Sequence, residues 1–225
     1  MPKAVALVLS SGGLRSLVCA ALAAREFRVA LLHLNDHRTT ATPMQKAFEL
    51  QVAALKPVKS WILDADFLRQ TSLPLESTGL VNTTSSDATA PLIPFREIQM
   101  LAVASGFARQ IKATAVFWGA HFDPKASDAL ARNIELVQVF NQLLQVSSGG
   151  VGNETSLLVR TPLMGLEDHQ VIELGHQIAA PFQASWSCQI ALEKPCMSCP
   201  ACARRIRAFR GAQLPDPLVV PPTTR

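Results

Sequence analysis

The sequence predicts a doubly wound α/β domain with a mostly parallel five-stranded sheet and a small C-terminal zinc-binding knuckle. Three observations carry this. Short, uniformly apolar runs alternate with longer amphipathic ones along residues 4–178, the pattern of a parallel sheet covered by helices on both faces. The first apolar run ends in Ser10-Ser11-Gly12-Gly13, a glycine turn of the kind that leads a strand into a helix. Four of the five cysteines crowd into residues 188–202, which in a cytosolic chain reads as metal ligation rather than disulfides.

Each element follows in order. Residues 4–9 are apolar throughout and form a buried strand, and the alanine-rich stretch 14–25 forms a helix. Residues 28–34 are a second strand, 43–55 a helix with Pro43 near its start, and 58–64 a third strand. The segment 71–93 is rich in Ser, Thr and Pro and reads as a long loop beside the site. A helix over 96–113 and a strand over 115–121 follow. Residues 131–145 form a helix with Ile134, Val137, Phe140 and Leu144 on one stripe. A turn over 147–154, a fifth strand over 156–163 and a short helix over 167–178 complete the pattern. Residues 1–180 are thus expected to be a nucleotide-binding domain, with 181–225 a four-cysteine segment packed on it.

The chain has 225 residues, 48% hydrophobic and 17% charged, which suits one domain with a sizeable core. Charge or glycine interrupts every apolar stretch before about 18 residues, so no membrane span is expected. Met1-Pro2-Lys3 leads straight into an apolar run without a signal-peptide layout, so a cytoplasmic location is expected. The formal net charge of +4 fits an anionic small-molecule partner and fits a solvated surface equally. Nucleic acid is not an expected partner, because residues 204–210 are the one dense basic block. Its Arg204, Arg205, Arg207 and Arg210 read as a solvated helix face whose stems pack on the knuckle.

Open parallel sheets bind ligands at the carboxyl ends of their strands, where a helix N-terminus favours anions. Gly12 and Gly13 let the backbone approach a phosphate there, and Ser10, Ser11 and Ser16 add hydroxyl donors. The turn is neither a Walker loop nor a dinucleotide fingerprint. Cys188, Cys196, Cys199 and Cys202 are spaced C-x7-C-x2-C-x2-C. Four thiolates satisfy tetrahedral zinc and leave no open catalytic position, and an iron–sulfur cluster competes on spacing alone. Cys19 reads as a small core residue. His121, after Gly119-Ala120, is the best placed of the histidines at predicted strand ends.

Ser11-Gly12-Gly13-Leu14-Arg15-Ser16 resembles the Ser-Gly-Gly-x-Asp-Ser loop of the PP-loop ATP pyrophosphatases. Trp186-Ser187-Cys188, followed by Pro195-Cys196-x-x-Cys199-x-x-Cys202, resembles the tail of the 7-cyano-7-deazaguanine synthase family within that group. So do Pro94-Phe95-Arg96, Gly119-Ala120 and Thr161-Pro162-Leu163. The chain is identified as a divergent member of that family. The resemblance implies an adenine-nucleotide alpha hydrolase-like fold and an ATP-dependent carbon–nitrogen ligase of queuosine biosynthesis. It implies that Ser10 to Ser16, with Leu14 and Arg15 included, bind the nucleotide, that Arg96 and Asp123 serve catalysis, and that His121 and Arg132 lie near substrate. It implies structural zinc on the four cysteines, magnesium assisting ATP, and a homodimer. In the implied reaction a 7-deazaguanine carboxylate is adenylated, ammonia gives an amide, and a second activation gives the nitrile.

Four positions depart from the family pattern. Arg15 stands where the family has an Asp that helps hold magnesium; an arginine cannot ligate a metal but can contact a phosphate directly. The family's Tyr-Pro-Asp-Cys-Arg stretch is absent, and Asp123, Asp128 and Arg132 partly occupy its place. Glu97 replaces an Asn, and Asp168 and Gln170 stand where a Lys and a Glu are usual. These changes leave a second reading open. In it the chain binds nucleotide or deazapurine without turnover and acts through a protein partner, or passes the activated acyl group to another amine.

Overall fold

The computed structural model describes residues 3–37, 40–73, 93, 95–120, 127–147, 156–190 and 193–219. Its sheet is built around β1 (Val5–Leu9), whose Ala6, Leu7 and Val8 are wholly buried. A strand without a polar residue can be covered on both faces, and that places it at the centre. β2 (Arg28–Asn35), β3 (Lys59–Asp64), β4 (Ala115–Trp118) and β5 (Leu158–Arg160) complete the order β3-β2-β1-β4-β5, with every pairing parallel. The chain runs outward from β1 to β3 and then crosses back to β4 on the other side. The order therefore reverses between β1 and β4, and a crevice opens beyond their carboxyl ends.

The helices are α1 (Leu14–Glu26), α2 (Ala41–Leu55), α3 (Phe67–Gln70), α4 (Arg96–Gln110), α5 (Ser127–Ser147), α6 (Asp168–Gln177) and α7 (Pro200–Gly211). Strand periodicity sorts them. Ala6 and Val8 face Val18 of α1, Phe48 of α2, Ile172 of α6 and Phe209 of α7 in one cluster. Leu7 and Leu9 face Leu101 of α4 and Val137 and Phe140 of α5 in the other. The C-terminal segment is thereby part of the same core, since Ala208 and Phe209 pack with α1.

Several boundaries differ from the sequence pattern. α4 stops at Gln110 rather than residue 113, because Lys112 takes a left-handed turn at φ 54° and the Ala113 N–H donates back to Ala108 O at 2.9 Å. This closes the helix as a Schellman-type cap does. β4 ends at Trp118 rather than residue 121, β5 has three residues rather than the eight of 156–163, and α5 begins at Ser127 rather than residue 131. α2 starts at Ala41, with Pro43 within its first turn where its missing N–H is harmless. Most of the Ser/Thr/Pro-rich segment and of the turn over 147–154 lies outside the described residues. Among the described residues no helix is long and apolar enough to cross a membrane.

Candidate functional site

The loop after β1 is held from below. Ser10 N–H continues the ladder to Leu32 O at 2.9 Å, and His33 Nδ1 lies 2.9 Å from Ser10 O. Ser10 Oγ donates to Gln51 Oε1 at 2.5 Å, and Gln51 Nε2 donates to Ala184 O at 2.9 Å. Ser10 is buried, and its hydroxyl braces α2 and the Phe182–Ala184 turn. Ser11 is exposed, with its Oγ 3.2 Å from Ser16 Oγ; it accepts the Gly13 N–H at 3.3 Å. Ser16 Oγ donates to Gly13 O at 3.0 Å. Gly12 is in the left-handed region at φ +81°, and a Cβ there would meet Met44 O at 2.0 Å.

Above this loop lies a cavity of about 340 Å³. Ser11, Gly13 and Ser16 form one side, and Leu34, Met100 and Trp118 form an apolar wall. Such a mixture of polar loop and apolar wall suits a ligand with an anionic end and a flat, apolar end. Gly119 lets β4 end close against the start of α1, since a Cβ there would lie 3.1 Å from Arg15 O and from Ser16 Cα.

The charged part of the cavity is a triad. Arg15 Nη2 donates to Asp168 Oδ1 at 2.7 Å, and Arg204 Nε donates to Asp168 Oδ2 at 2.6 Å. Burial pushes the Asp168 carboxyl up, but the hydrogen bonds from Arg204 and Arg15 outweigh it and hold it below the usual carboxylate range. Burial and the neighbouring Arg204 lower the pKa of Arg15, opposed by Asp168. Arginine stays charged throughout.

The basic run at the end of the chain is only in part the solvated face its composition suggests: Arg207 and Arg210 are exposed, and the other two arginines turn inward. Arg204 turns into the cavity. Arg205 is buried: its Nε and Nη2 donate to the two oxygens of Asp216 at 2.7 and 2.9 Å, and its Nη1 to Ser185 Oγ at 2.8 Å. Both turn toward the fold: Arg204 meets Asp168, 36 positions earlier, and Arg205 meets Asp216, just beyond the end of α7. Adjacent arginines in a sequence give no hint of that.

Four thiols converge beside the cavity. Sγ–Sγ distances are 3.5 Å for Cys188–Cys196, 3.9 Å for Cys196–Cys202 and 4.0 Å for Cys188–Cys199, and all four lie within 4.8 Å of one another. Backbone N–H groups support them: Cys199 N–H donates to Cys196 Sγ at 3.3 Å and Ile190 N–H to Cys188 Sγ at 3.4 Å. N–H groups of Ser198 and Cys199 lower the Cys196 thiol to about 6, while burial pushes Cys202 up. The arrangement can hold a metal ion. Cys19, raised to about 12 by burial, is an inert core thiol.

Trp186 joins the two features. Its backbone N–H donates to Gly12 O at 3.0 Å, and its indole Nε1 donates to Cys188 O at 2.9 Å. The ring packs against the cysteine cluster and also lines the cavity.

Of the other residues expected at the site, Leu14 lines the cavity beside Arg15. Arg96 sits at the start of α4 with Nη2 3.4 Å from Asp36 Oδ2 and does not line the cavity. Arg132 is exposed on α5. His121 and Asp123 lie outside the described residues. The sequence pattern does not point to Arg204 as a site residue, and Asp168, a departure from the family pattern, is the shared partner of Arg15 and Arg204.

His33 gives the site a pH dependence. Burial lowers its pKa, opposed by the Ser10 carbonyl and by Asp36 and Glu49. In the unfolded chain it titrates near about 6.5, so below that pH the unfolded chain binds a proton that the fold disfavours. Stability from neutral His33 is full above this value and declines as pH falls below it. The expected result is a Tm that drops on acidification below about pH 6.5, with a shallower drop in His33→Gln. Equal slopes for the two proteins would remove His33 as the cause.

Comparison with known proteins gives three findings. The family model for the queuosine biosynthesis protein QueC matches residues 5–213. The 7-cyano-7-deazaguanine synthase of Chlorobium phaeobacteroides (strain DSM 266 / SMG 266 / 2430) is 31% identical over 222 residues, covering 95% of each chain; that of Koribacter versatilis is 28% identical, covering 96% of this chain and 93% of the other. Among solved structures, the U34-tRNA thiolase NcsA from Methanococcus maripaludis, with its [4Fe-4S] cluster, superposes with a TM-score of 0.50 at 12% identity. That match covers 94% of this chain and 65% of the thiolase, and it shows a shared fold.

Proposed function

Because the chain belongs to the QueC family of queuosine biosynthesis proteins, we propose that it is an ATP-dependent ligase that converts a 7-deazaguanine carboxylate to its nitrile. The observation that carries this is the cavity at the β1–β4 reversal, with the glycine loop at one side and the Leu34, Met100 and Trp118 wall at the other. A carboxylate oxygen attacks the α-phosphorus of ATP and pyrophosphate leaves. Ammonia displaces AMP to give the amide. The amide oxygen attacks the α-phosphorus of a second ATP and expels pyrophosphate, and loss of AMP and two protons then leaves the nitrile. The loop's role is to bind and orient the phosphates, and the apolar wall excludes water from the acyl-adenylate.

The metal of this reading is zinc, with a structural role. At a Zn–S bond of about 2.3 Å, a tetrahedron of thiolates has edges near about 3.8 Å. The Sγ–Sγ distances of 3.5, 3.9 and 4.0 Å fit that spacing. A four-iron cube carries its thiolates on separate irons and needs them farther apart. Bound zinc would supply structural cross-linking, with no position left for substrate.

The test is AMP and pyrophosphate release from ATP with 7-carboxy-7-deazaguanine and ammonia, with the nitrile followed by mass spectrometry. Product formation is the expected result, and its absence with ATP binding intact would overturn the ligase. The engagement of Asp168 by two arginines favours one alternative, a family member that binds the nucleotide and does not turn it over. The same assay separates the two.

A further inference from the structure

We propose that Arg15 and Arg204 form an anion clamp that takes the polyphosphate of the nucleotide by direct N–H donation, without a bridging divalent cation. The inference rests on the ATP-using reading above and adds to it how the phosphates are held.

The cavity's composition carries the argument. Among its described lining residues the charged side chains are Arg15, Arg204, Arg205 and Asp168. Arg205 is bound to Asp216 through two hydrogen bonds. The single carboxylate, Asp168, accepts from Arg15 on one oxygen and from Arg204 on the other. A divalent cation takes oxygen ligands, above all carboxylates. To reach Asp168 it would have to displace two guanidinium groups and then remain beside both. Like charges at such separations repel by several kcal/mol at an effective dielectric of about 20.

An anion meets the opposite situation. The triad of Arg15, Asp168 and Arg204 has a formal charge of +1. Among the described residues Arg15 is hydrogen-bonded through Nη2 alone, which leaves Nε and Nη1 as donors. The guanidinium fork matches phosphate oxygens in pairs. Asp168 acts here as a positioning residue. Its two oxygens hold the two arginines in place, so little side-chain freedom is lost when phosphate arrives.

The experiment is titration calorimetry of the full chain with inorganic pyrophosphate and, separately, with ATP, each in EDTA and in magnesium. The expected result is binding of both in EDTA with no gain from magnesium. Arg15→Gln and Arg204→Gln should each weaken binding on the order of tenfold to a hundredfold, the range for hydrogen bonds to charged groups. The paired exchange Arg15→Asp with Asp168→Lys keeps an ion pair of opposite polarity. It should bind pyrophosphate only with magnesium, and its Tm is measured alongside because Arg204 then faces a lysine in place of its carboxylate. Binding by the native chain that requires magnesium would overturn the clamp and leave the ATP reading standing. Failure of both probes in both conditions would overturn the clamp and the ATP reading together. Unchanged affinity in both Arg→Gln variants would also overturn the clamp.

Discussion

Gly12→Ala is expected to abolish nucleotide binding and to destabilise the protein by about 3 kcal/mol or more, from left-handed backbone strain with a steric clash added. The clash is with backbone, not with a side chain that can turn away. A Cβ at Gly12 would lie 2.0 Å from Met44 O and 2.9 Å from Met44 C. Either α2 shifts, which disturbs Gln51 and its bond to Ser10, or the loop lifts and Gly12 O loses the Trp186 N–H. Both outcomes move Ser11, Gly13 and Ser16 from the cavity wall. The control is Gly106→Ala in the middle of α4, where a Cβ meets nothing within 4 Å. That change should raise stability by roughly 0.5–1 kcal/mol. Thermal unfolding and ATP titration of the two variants test this. Native ATP affinity in Gly12→Ala would show that the loop has another way to close.

Removal of the proposed zinc should have an effect at least as large. Structural zinc contributes an apparent binding free energy of about 10–16 kcal/mol in isolated fingers, comparable with the about 5–15 kcal/mol that stabilises a whole domain. Without a cation, the four sulfurs within 4.8 Å have no shared counter-charge. α7 then loses its start, because Cys199 caps it and Cys202 lies in its first turn. The damage should reach the phosphate loop through Trp186, bonded at one end to Cys188 O and at the other to Gly12 O. We expect a strong chelator to release about one zinc per chain under the four-thiolate scheme. Trp186 emission should shift, residues after 181 should become open to protease, and ATP affinity should fall. The emission is read in a chain carrying Trp61→Phe and Trp118→Phe. A chelated protein that keeps its Tm and its ATP affinity would show that the knuckle and the loop are independent.

The sheet was readable because parallel strands covered on both faces have no polar alternation to confuse with a helix. Ala6 to Leu9 show this directly. Helix and strand ends were less readable, because a left-handed lysine at 112 or a strand stopping at Trp118 answers to neighbours far along the chain. The glycine loop and the cysteines were readable, since each uses a residue type for a property no other has. The triad was not. Arg15 and Asp168 were visible one at a time as departures from the family pattern, but they lie 153 positions apart. In space they are one contact, an Asp and Lys of the pattern replaced by an Arg and an Asp of opposite polarity. Changing Arg15→Asp alone would set two carboxylates against each other. Ser10 shows the same limit: it lines the cavity, and only the position of Gln51 shows that its hydroxyl is engaged there.

The hydrogen bond from Trp186 to Gly12 has a consequence for biosynthesis. Chains emerge from the ribosome N-terminus first, at about 5–20 residues per second. Gly12 is made long before Trp186, yet its carbonyl waits for the N–H of that residue. The sheet can assemble beforehand from β1 to β5. The glycine loop therefore matures last, after the tail has docked and the thiols have gathered. A chain stalled or cut short before Trp186 would retain most of its core and lack the finished glycine loop.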